Sequence, residues 1–132
     1  MFFKKSIRAQ NKIDTLIGAE TKIDGNIHFT GGLRVDGKIT GNVTEAGEAQ
    51  ATLVLSEHGC IEGEIHVSQV MLNGKVVGPV HASQFVELQS KAVVTGDVYY
   101  KTLEMHTGAV VDGKLIHLTD VPLMITDKSE KS

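Results

Sequence analysis

Histidine is the residue type in this chain whose spacing most suggests chemistry. His66 and His81 each stand three residues after a glycine, and His28 holds the same place in an earlier segment. Imidazoles are common metal ligands and titrate near neutral pH, so a row of them can bind a metal or respond to pH. Which of these applies depends on the elements that hold the histidines side by side.

The other reactive residue types do not form a recognisable catalytic group. His58 and Cys60 flank a glycine but lack evident third and fourth metal ligands. No serine lies in the Gly-x-Ser-x-Gly pattern of a nucleophile elbow. The acidic residues beside the repeated glycines are typical of a solvated surface that limits side-by-side aggregation. We therefore predict no catalytic residue, no cofactor and no metal site.

Composition excludes several classes of protein. The chain has 132 residues, a formal net charge of -3, 14 glycines, six aromatic residues other than histidine and no tryptophan. This charge does not favour a nucleic-acid binder, and the single cysteine suits a reducing compartment. No apolar run approaches the roughly 18 residues of a transmembrane helix, and the first residues lack a signal peptide's apolar stretch. We expect a cytoplasmic protein with an aliphatic core.

A short repeat organises most of the chain. An aliphatic-x-Gly-x-aliphatic unit occurs six times, and its anchor glycines are 16, 22, 15, 18 and 17 residues apart. The anchors, predicted to be structural turn glycines, are Gly25, Gly41, Gly63, Gly78, Gly96 and Gly113. A large apolar column eight residues before the anchors contains Ile17, Leu33, Leu55, Val70, Leu88 and Met105. A small-residue column four before them contains Thr21, Gly37, Gly59, Gly74, Ala92 and Ala109.

The repeat predicts a parallel β-helix. Alternate residues of a strand face opposite sides, so the aliphatic residues two before and two after each anchor both point inward. The glycine between them permits a tight bend. A unit of about 17 residues suits three short strands and three corners, which make one coil of a solenoid.

The same alternation places the histidines. The column three residues after each anchor faces outward, which predicts His66 and His81 side by side on neighbouring coils, with backbones about 4.8 Å apart. Such a pair is able to bind a transition metal or sense pH, but a solvated stack is the more ordinary interpretation.

The repeat also divides the chain. We predict a β-helix polymerisation domain over residues 14–121, preceded by a disordered basic and apolar tail over 1–13. A short polar tail follows over 122–132. Residues 45–51 lengthen one spacing and are interpreted as a surface loop, since insertions in repeat proteins map to loops.

These units resemble the bactofilin family of bacterial cytoskeletal proteins. The resemblance rests on the repeated units and on Leu33–Gly41 and Leu72–Gly78, which each pair glycines four residues apart; it covers roughly Ile13 to Leu118. It implies a right-handed β-helix that polymerises without nucleotide into filaments on the inner membrane, shapes the cell and recruits cell-wall enzymes. The predicted fold class is therefore all-β, a single-domain right-handed parallel β-helix of about six coils with flexible termini.

The ends of such a rod are the predicted assembly surfaces. Unpaired strand edges recruit other edges unless they are capped, and neither end shows an amphipathic capping helix. Like ends meeting like would give alternating head-to-head and tail-to-tail contacts and a filament without polarity. The predicted polymer interface contains Ile17, Ile23, Ile27, Met105, Val111, Leu115 and Leu118.

The first 13 residues contain four basic residues and no acidic one, so their formal charge is +4. Because the whole chain has a formal net charge of -3, the remaining residues carry -7. Phenylalanines can insert at the acyl boundary while each basic residue near anionic headgroups contributes about 1 kcal/mol. We predict a membrane-binding segment on the inner face of the cytoplasmic membrane, with an ordinary disordered tail as the alternative. The predicted membrane-binding residues are Met1, Phe2, Phe3, Lys4, Lys5 and Arg8.

Two other functions share this architecture. Left-handed β-helix enzymes of the hexapeptide-repeat acyltransferase type have similar coils, but spacings of 15, 16, 17 and 22 break their six-residue period. A non-polymerising adaptor differs only in particle size. We predict a structural protein that is not an enzyme. Its predicted partners are itself, inner-membrane lipids and cell-wall enzymes or membrane proteins, with no nucleic acid.

Overall fold

The computed structural model describes residues 12–119, and every regular element in that range is a β-strand. Three successive strands make one coil, and six coils stack into a solenoid. The strands in chain order are β1 (Thr15–Ile17), β2 (Lys22–Asp24), β3 (Ile27–Phe29), β4 (Gly32–Val35), β5 (Lys38–Thr40), β6 (Val43–Glu45), β7 (Thr52–Leu55), β8 (Cys60–Glu62), β9 (Ile65–His66), β10 (Gln69–Leu72), β11 (Lys75–Val77), β12 (Val80–His81), β13 (Phe85–Leu88), β14 (Val93–Thr95), β15 (Val98–Tyr100), β16 (Thr102–Met105), β17 (Val110–Asp112) and β18 (Leu115–His117).

Each coil contributes one strand to each of three parallel six-stranded sheets. The first sheet contains β1, β4, β7, β10, β13 and β16; the second runs from β2 to β17 and the third from β3 to β18, in the same manner. All strand pairs are parallel. The predicted all-β parallel solenoid of about six coils is confirmed.

The core is a stack of aliphatic side chains. In the second sheet Ile39, Ile61, Val76 and Val94 lie one above another and are fully buried. The third sheet repeats this pattern with Val43, Ile65, Val80 and Val98. Each such side chain contributes roughly 1.5–3 kcal/mol when it leaves water. Among the aromatic residues between positions 12 and 119, Phe29 alone is buried, because the stacked interior is narrow.

The anchor glycines stand where the second strand of each coil turns into the third. All six have positive φ angles, between 135° and 159°, a backbone conformation that is strained for residues other than glycine. A Cβ atom on any of the last five would overlap the carbonyl oxygen of the anchor in the preceding coil. The close stacking of coils at this corner therefore requires glycine.

The strand register corrects one predicted column. Ile17 pairs with Val35, and the column continues through Leu55, Leu72, Leu88 and Met105. The assignment of Leu33 and Val70 to this column was wrong. The corner before the second strand has two residues in the second and fourth coils and four in the others, so counting back from the anchor overshoots by two.

The shift of two residues keeps the inward direction of both side chains. Leu33 and Val70 accordingly lie in the neighbouring inward column with Leu53 and are fully buried. The small-residue column is as predicted: the backbone of Gly37 bonds that of Cys60, and the backbone of Gly74 bonds that of Val93 in the next coil.

The longest connection leaves the solenoid between β6 and β7. Glu45 ends β6 and Ala51 is buried, so the surface loop is shorter than the predicted 45–51. Glu45 Oε1 accepts hydrogen bonds from Ala51 N at 3.0 Å and Ser68 N at 2.9 Å. Its Oε2 accepts one from Ser68 Oγ at 2.7 Å. One carboxylate thus closes the loop and joins it to the next coil.

The strands extend from Thr15 to His117, within the predicted domain of residues 14–121. Most of the two predicted tails, and the six predicted membrane-binding residues, lie outside the described residues. No helix between residues 12 and 119 is long and apolar enough to cross a membrane.

Candidate functional site

The two ends of the solenoid are the places where its strand ladder stops. Within residues 12–119, β1, β2 and β3 pair with the second coil only, and β16, β17 and β18 pair with the fifth coil only. Their outer edges present backbone N–H and C=O groups that another strand is able to pair with. Both edges also carry inward-pointing side chains that no further coil covers.

The first coil forms a shallow apolar end. Ile17 is buried, whereas Ile23 and Ile27 are half-buried and have no neighbouring coil on their outer side within residues 12–119. A concavity of about 720 Å³ opens beside these residues, with Phe29 in its wall. Asp14 continues the ladder by one step, since its backbone N–H donates a hydrogen bond to Gly32 O at 2.8 Å. Its carboxylate also accepts a hydrogen bond from Gly32 N at 2.9 Å.

The last coil is the more exposed end. Met105 and Leu115 are 44% and 43% exposed, whereas their column neighbours Leu88 and Val98 are fully buried. Val111 and Leu118 are half-buried. The predicted interface residues therefore occur at the two opposite ends of the rod. At each end, apolar side chains that continue the core columns are partly exposed to solvent.

Sequence reasoning missed two exposed apolar residues in the end coils. Leu16 is 59% exposed and Val110 is 50% exposed, and both stand at outward positions of their strands. The signal was available: the position of Val110 is occupied by lysine in the first, second and fourth coils, at Lys22, Lys38 and Lys75. Val93, the neighbour of Val110 on the fifth coil, is also an exposed valine, and of the two only Val110 lies in an end coil.

Two ion pairs lie on the flank of the rod, in its inner coils. Lys38 Nζ lies 3.5 Å from Glu62 Oε2, and Arg34 Nε lies 3.0 Å from Asp36 Oδ1. Burial alone would raise the pKa of Asp36. The hydrogen bonds from Ser56 and Arg34, together with the positive charge of Arg34, outweigh that effect and hold the pKa of Asp36 below its usual 3.8.

The outward histidine column forms a stack on the third sheet, as predicted. His66 and His81 are direct partners on β9 and β12, and their rings are 4.4 Å apart and within 4° of parallel. Tyr99 stacks on the other face of His81 at 4.4 Å. Burial lowers the pKa of His81, the charge of His66 lowers it further, and Glu64 acts in the opposite direction.

The remaining histidines are more isolated from one another. His28 pairs with Thr44 and so has no imidazole beside it in its column. His58 Nε2 lies 3.6 Å from Glu57, and Cys60 is a half-buried free thiol. Among the described residues, two groups bring three metal-ligating atoms within 4.8 Å of one another: Glu64, His66 and His81, and Glu87, Glu104 and His106.

Comparison with known proteins agrees with this architecture. The bactofilin family, described as polymer-forming cytoskeletal, matches residues 15–116. The chain is 26% identical over 112 residues to bactofilin BacP of Myxococcus xanthus strain DK1622, covering 84% of this chain and 45% of BacP. It is 28% identical over 102 residues to bactofilin BacO of the same strain, covering 77% of this chain and 78% of BacO.

The chain thus spans less than half of the length of BacP. No solved structure matches it significantly. The family match begins at the first residue of β1 and ends one residue before the end of β18, so it covers all six coils. The resemblance noted in the repeated units is confirmed, and this chain belongs to the bactofilin family of polymer-forming cytoskeletal proteins.

Proposed function

We propose that this protein assembles end to end, without nucleotide, through its first and last coils. The observation that carries the proposal is the exposure of Met105 and Leu115, whose counterparts in the inner coils are fully buried. The last coil of a second copy, placed against this end, would remove those side chains from water and pair the open strand edges. The family description, polymer-forming, supports the same conclusion.

We propose further that like ends meet, so that the filament has no polarity. Continuing the solenoid head to tail would place Asp112 of one copy directly beside Asp24 of the next, since these residues share a column. Directly opposed like charges are unfavourable on a sheet.

A two-fold contact reverses the second copy's strand. With β2 paired to itself across Ile23, Lys22 then faces Asp24 of the second copy, which is favourable. Alternating two-fold contacts at the two ends produce an open filament without direction. Such a filament has no basis for nucleotide-driven treadmilling.

We propose further that the filament binds the membrane and acts as a scaffold for cell-wall machinery. The basic and apolar residues 1–13 support binding to the inner face of the cytoplasmic membrane, where many copies along a filament bind by avidity. The resemblance to bactofilins supports a scaffold for cell shape and for cell-wall enzymes or membrane proteins. An acyltransferase-like enzyme and a non-polymerising adaptor are less well supported, because the family is cytoskeletal.

Particle size tests the proposal directly. Negative-stain electron microscopy of the purified chain at physiological salt should show long unbranched filaments with or without added nucleotide. A closed trimer would contradict the proposal in favour of the enzyme, and a monomer or isolated dimer in favour of the adaptor.

A further inference from the structure

We propose that Glu64, His66 and His81 bind a divalent transition-metal ion of the zinc type on the flank of the solenoid. This site lies on the third sheet and its preceding corner, in the third and fourth coils, well away from both ends. It does not depend on whether the protein polymerises.

The backbone register brings the ligands together. His66 and His81 are paired residues on neighbouring parallel strands, with ring centroids 4.4 Å apart. Glu64 stands two residues before His66, and its Oε1 lies 2.9 Å from His66 Nε2. One ligand atom from each of the three side chains lies within 4.8 Å of the other two.

Zinc fits this donor set. Two imidazoles and one carboxylate are a known set of protein ligands for zinc, with the fourth position left to water. Zinc–nitrogen bonds of about 2.0–2.1 Å place two bound nitrogens roughly 3.4 Å apart in a tetrahedral site. Because an imidazole nitrogen binds an ion that lies close to its own ring plane, at least one ring has to rotate out of the parallel stack to reach that separation.

The surroundings leave room for the ion and hold one ligand in place. A groove of about 370 Å³ runs beside the two histidines, with Val67 and Ala82 in its wall. His66 and Glu64 are 43% and 50% exposed, so an ion reaches them from solvent. Tyr99 is stacked 9° from parallel on the outer face of His81 and acts as a positioning residue that limits the movement of this ring. The rotation therefore falls to His66, whose other column neighbour is Thr44 and not a stacked ring.

The chain offers two internal comparisons. His28 occupies the same outward column, but its partner is Thr44, so it lacks a second imidazole. His106 lies 2.9 Å from Glu87 and 3.8 Å from Glu104, which gives one imidazole and two carboxylates. Because zinc favours nitrogen ligands over such carboxylate-rich groups, the His66–His81 site should bind it more tightly.

Zinc titration against a chromophoric chelator tests the proposal on the full chain, produced without a histidine tag. The wild type should bind one zinc ion per chain in its tightest class of sites. His66→Ala and His81→Ala should each weaken that binding by at least about tenfold, whereas His28→Ala and His106→Ala should leave it unchanged.

Two further measurements keep the result interpretable. Circular dichroism establishes that each variant retains the β-solenoid, and Co²⁺ absorption reports tetrahedral coordination that His66→Ala and His81→Ala should remove. Wild-type zinc affinity in both variants would overturn the proposal, as would equal weakening by His28→Ala. Zinc binding is measured whether or not filaments form, so failure of the proposed assembly is distinguishable from failure of this site.

Discussion

The α-carbon of Gly41 lies so close to the carbonyl oxygen of Gly25 that a side chain at position 41 would overlap it. The same relationship joins each later anchor to the one before it. Gly25, at the open end, has no atom of residues 12–119 within 4 Å of its Cβ position, although its φ angle of 135° is equally unsuited to a side chain. Comparing Gly25 with the later anchors therefore separates the effect of backbone strain from the effect of overlap with the preceding coil.

Substitution of the anchors should separate these two effects. Gly25→Ala carries only the strained backbone conformation, about 1–3 kcal/mol, whereas Gly63→Ala carries the same strain and also overlaps the carbonyl of Gly41. We expect Gly63→Ala to lower the free energy of unfolding by more than Gly25→Ala does. Gly18→Ala, at a site with open space and no positive φ, is the control and should be near neutral. Urea unfolding measures all three, and equal losses for Gly25→Ala and Gly63→Ala would contradict the stacking argument.

The number and order of the coils could be predicted from the sequence, because each coil needs a glycine with positive φ at the same corner. The predicted alignment was wrong at Leu33 and Val70, because the corner before the second strand has two residues in some coils and four in others. A difference of two residues keeps the side chains pointing inward, so the apolar pattern does not reveal it. Glu45 is another residue that the pattern did not predict: it stands beside the buried Phe29 and bonds Ser68, which is 23 residues away in sequence. The nearness of Glu64 to His66 depends on side-chain rotamers, which strand alternation does not determine.

Charges placed on the last coil should block assembly. Val111→Glu and Leu115→Arg each put a charge among side chains that the proposed contact removes from water, and an unpaired buried charge is strongly unfavourable. We expect folded protein without filaments. Val93→Glu is the matched control, since Val93 is a 40% exposed valine on the fifth coil beside Val110 but off the end surface. Circular dichroism and negative-stain microscopy report fold and assembly; long filaments from both end variants would refute the interface.

Removal of residues 1–8 should abolish membrane binding and leave filaments intact. The deletion removes all six predicted membrane-binding residues but keeps Asp14, whose carboxylate bonds Gly32 at the start of the second coil. Co-sedimentation with anionic vesicles should fall to background, and high salt should weaken wild-type binding because headgroup attraction is screened. Neutral vesicles are the control for the electrostatic part. Unchanged pelleting of the truncated filaments with anionic vesicles would exclude this segment as the anchor.

Acid should remove the contribution of Asp36 to stability. Because its pKa is below 3.8 in the folded protein, its ion pair with Arg34 and its hydrogen bonds stabilise the fold above that pH. This contribution declines as pH falls below about 3.8, through the folded-state pKa. Asp36→Asn should therefore lower the free energy of unfolding at pH 7 and make less difference near pH 3. Urea unfolding at both values checks this, and a loss that is the same at both would contradict the assignment.

Reversing one charge at the first coil should distinguish the two filament polarities. In the two-fold contact, Asp24→Lys replaces an attraction with a repulsion, because Lys22 of each copy then faces a lysine of the other. In a head-to-tail filament the same change replaces the repulsion between Asp24 and Asp112 with an attraction. Exposed pairs contribute about 0.2–1 kcal/mol each and the two-fold axis makes two of them, so a loss of about 0.4–2 kcal/mol should raise the critical concentration about two- to thirtyfold. The double variant Lys22→Asp/Asp24→Lys restores opposite charges across the two-fold and should recover wild-type assembly in sedimentation assays. A lower critical concentration for Asp24→Lys alone would instead establish a polar filament.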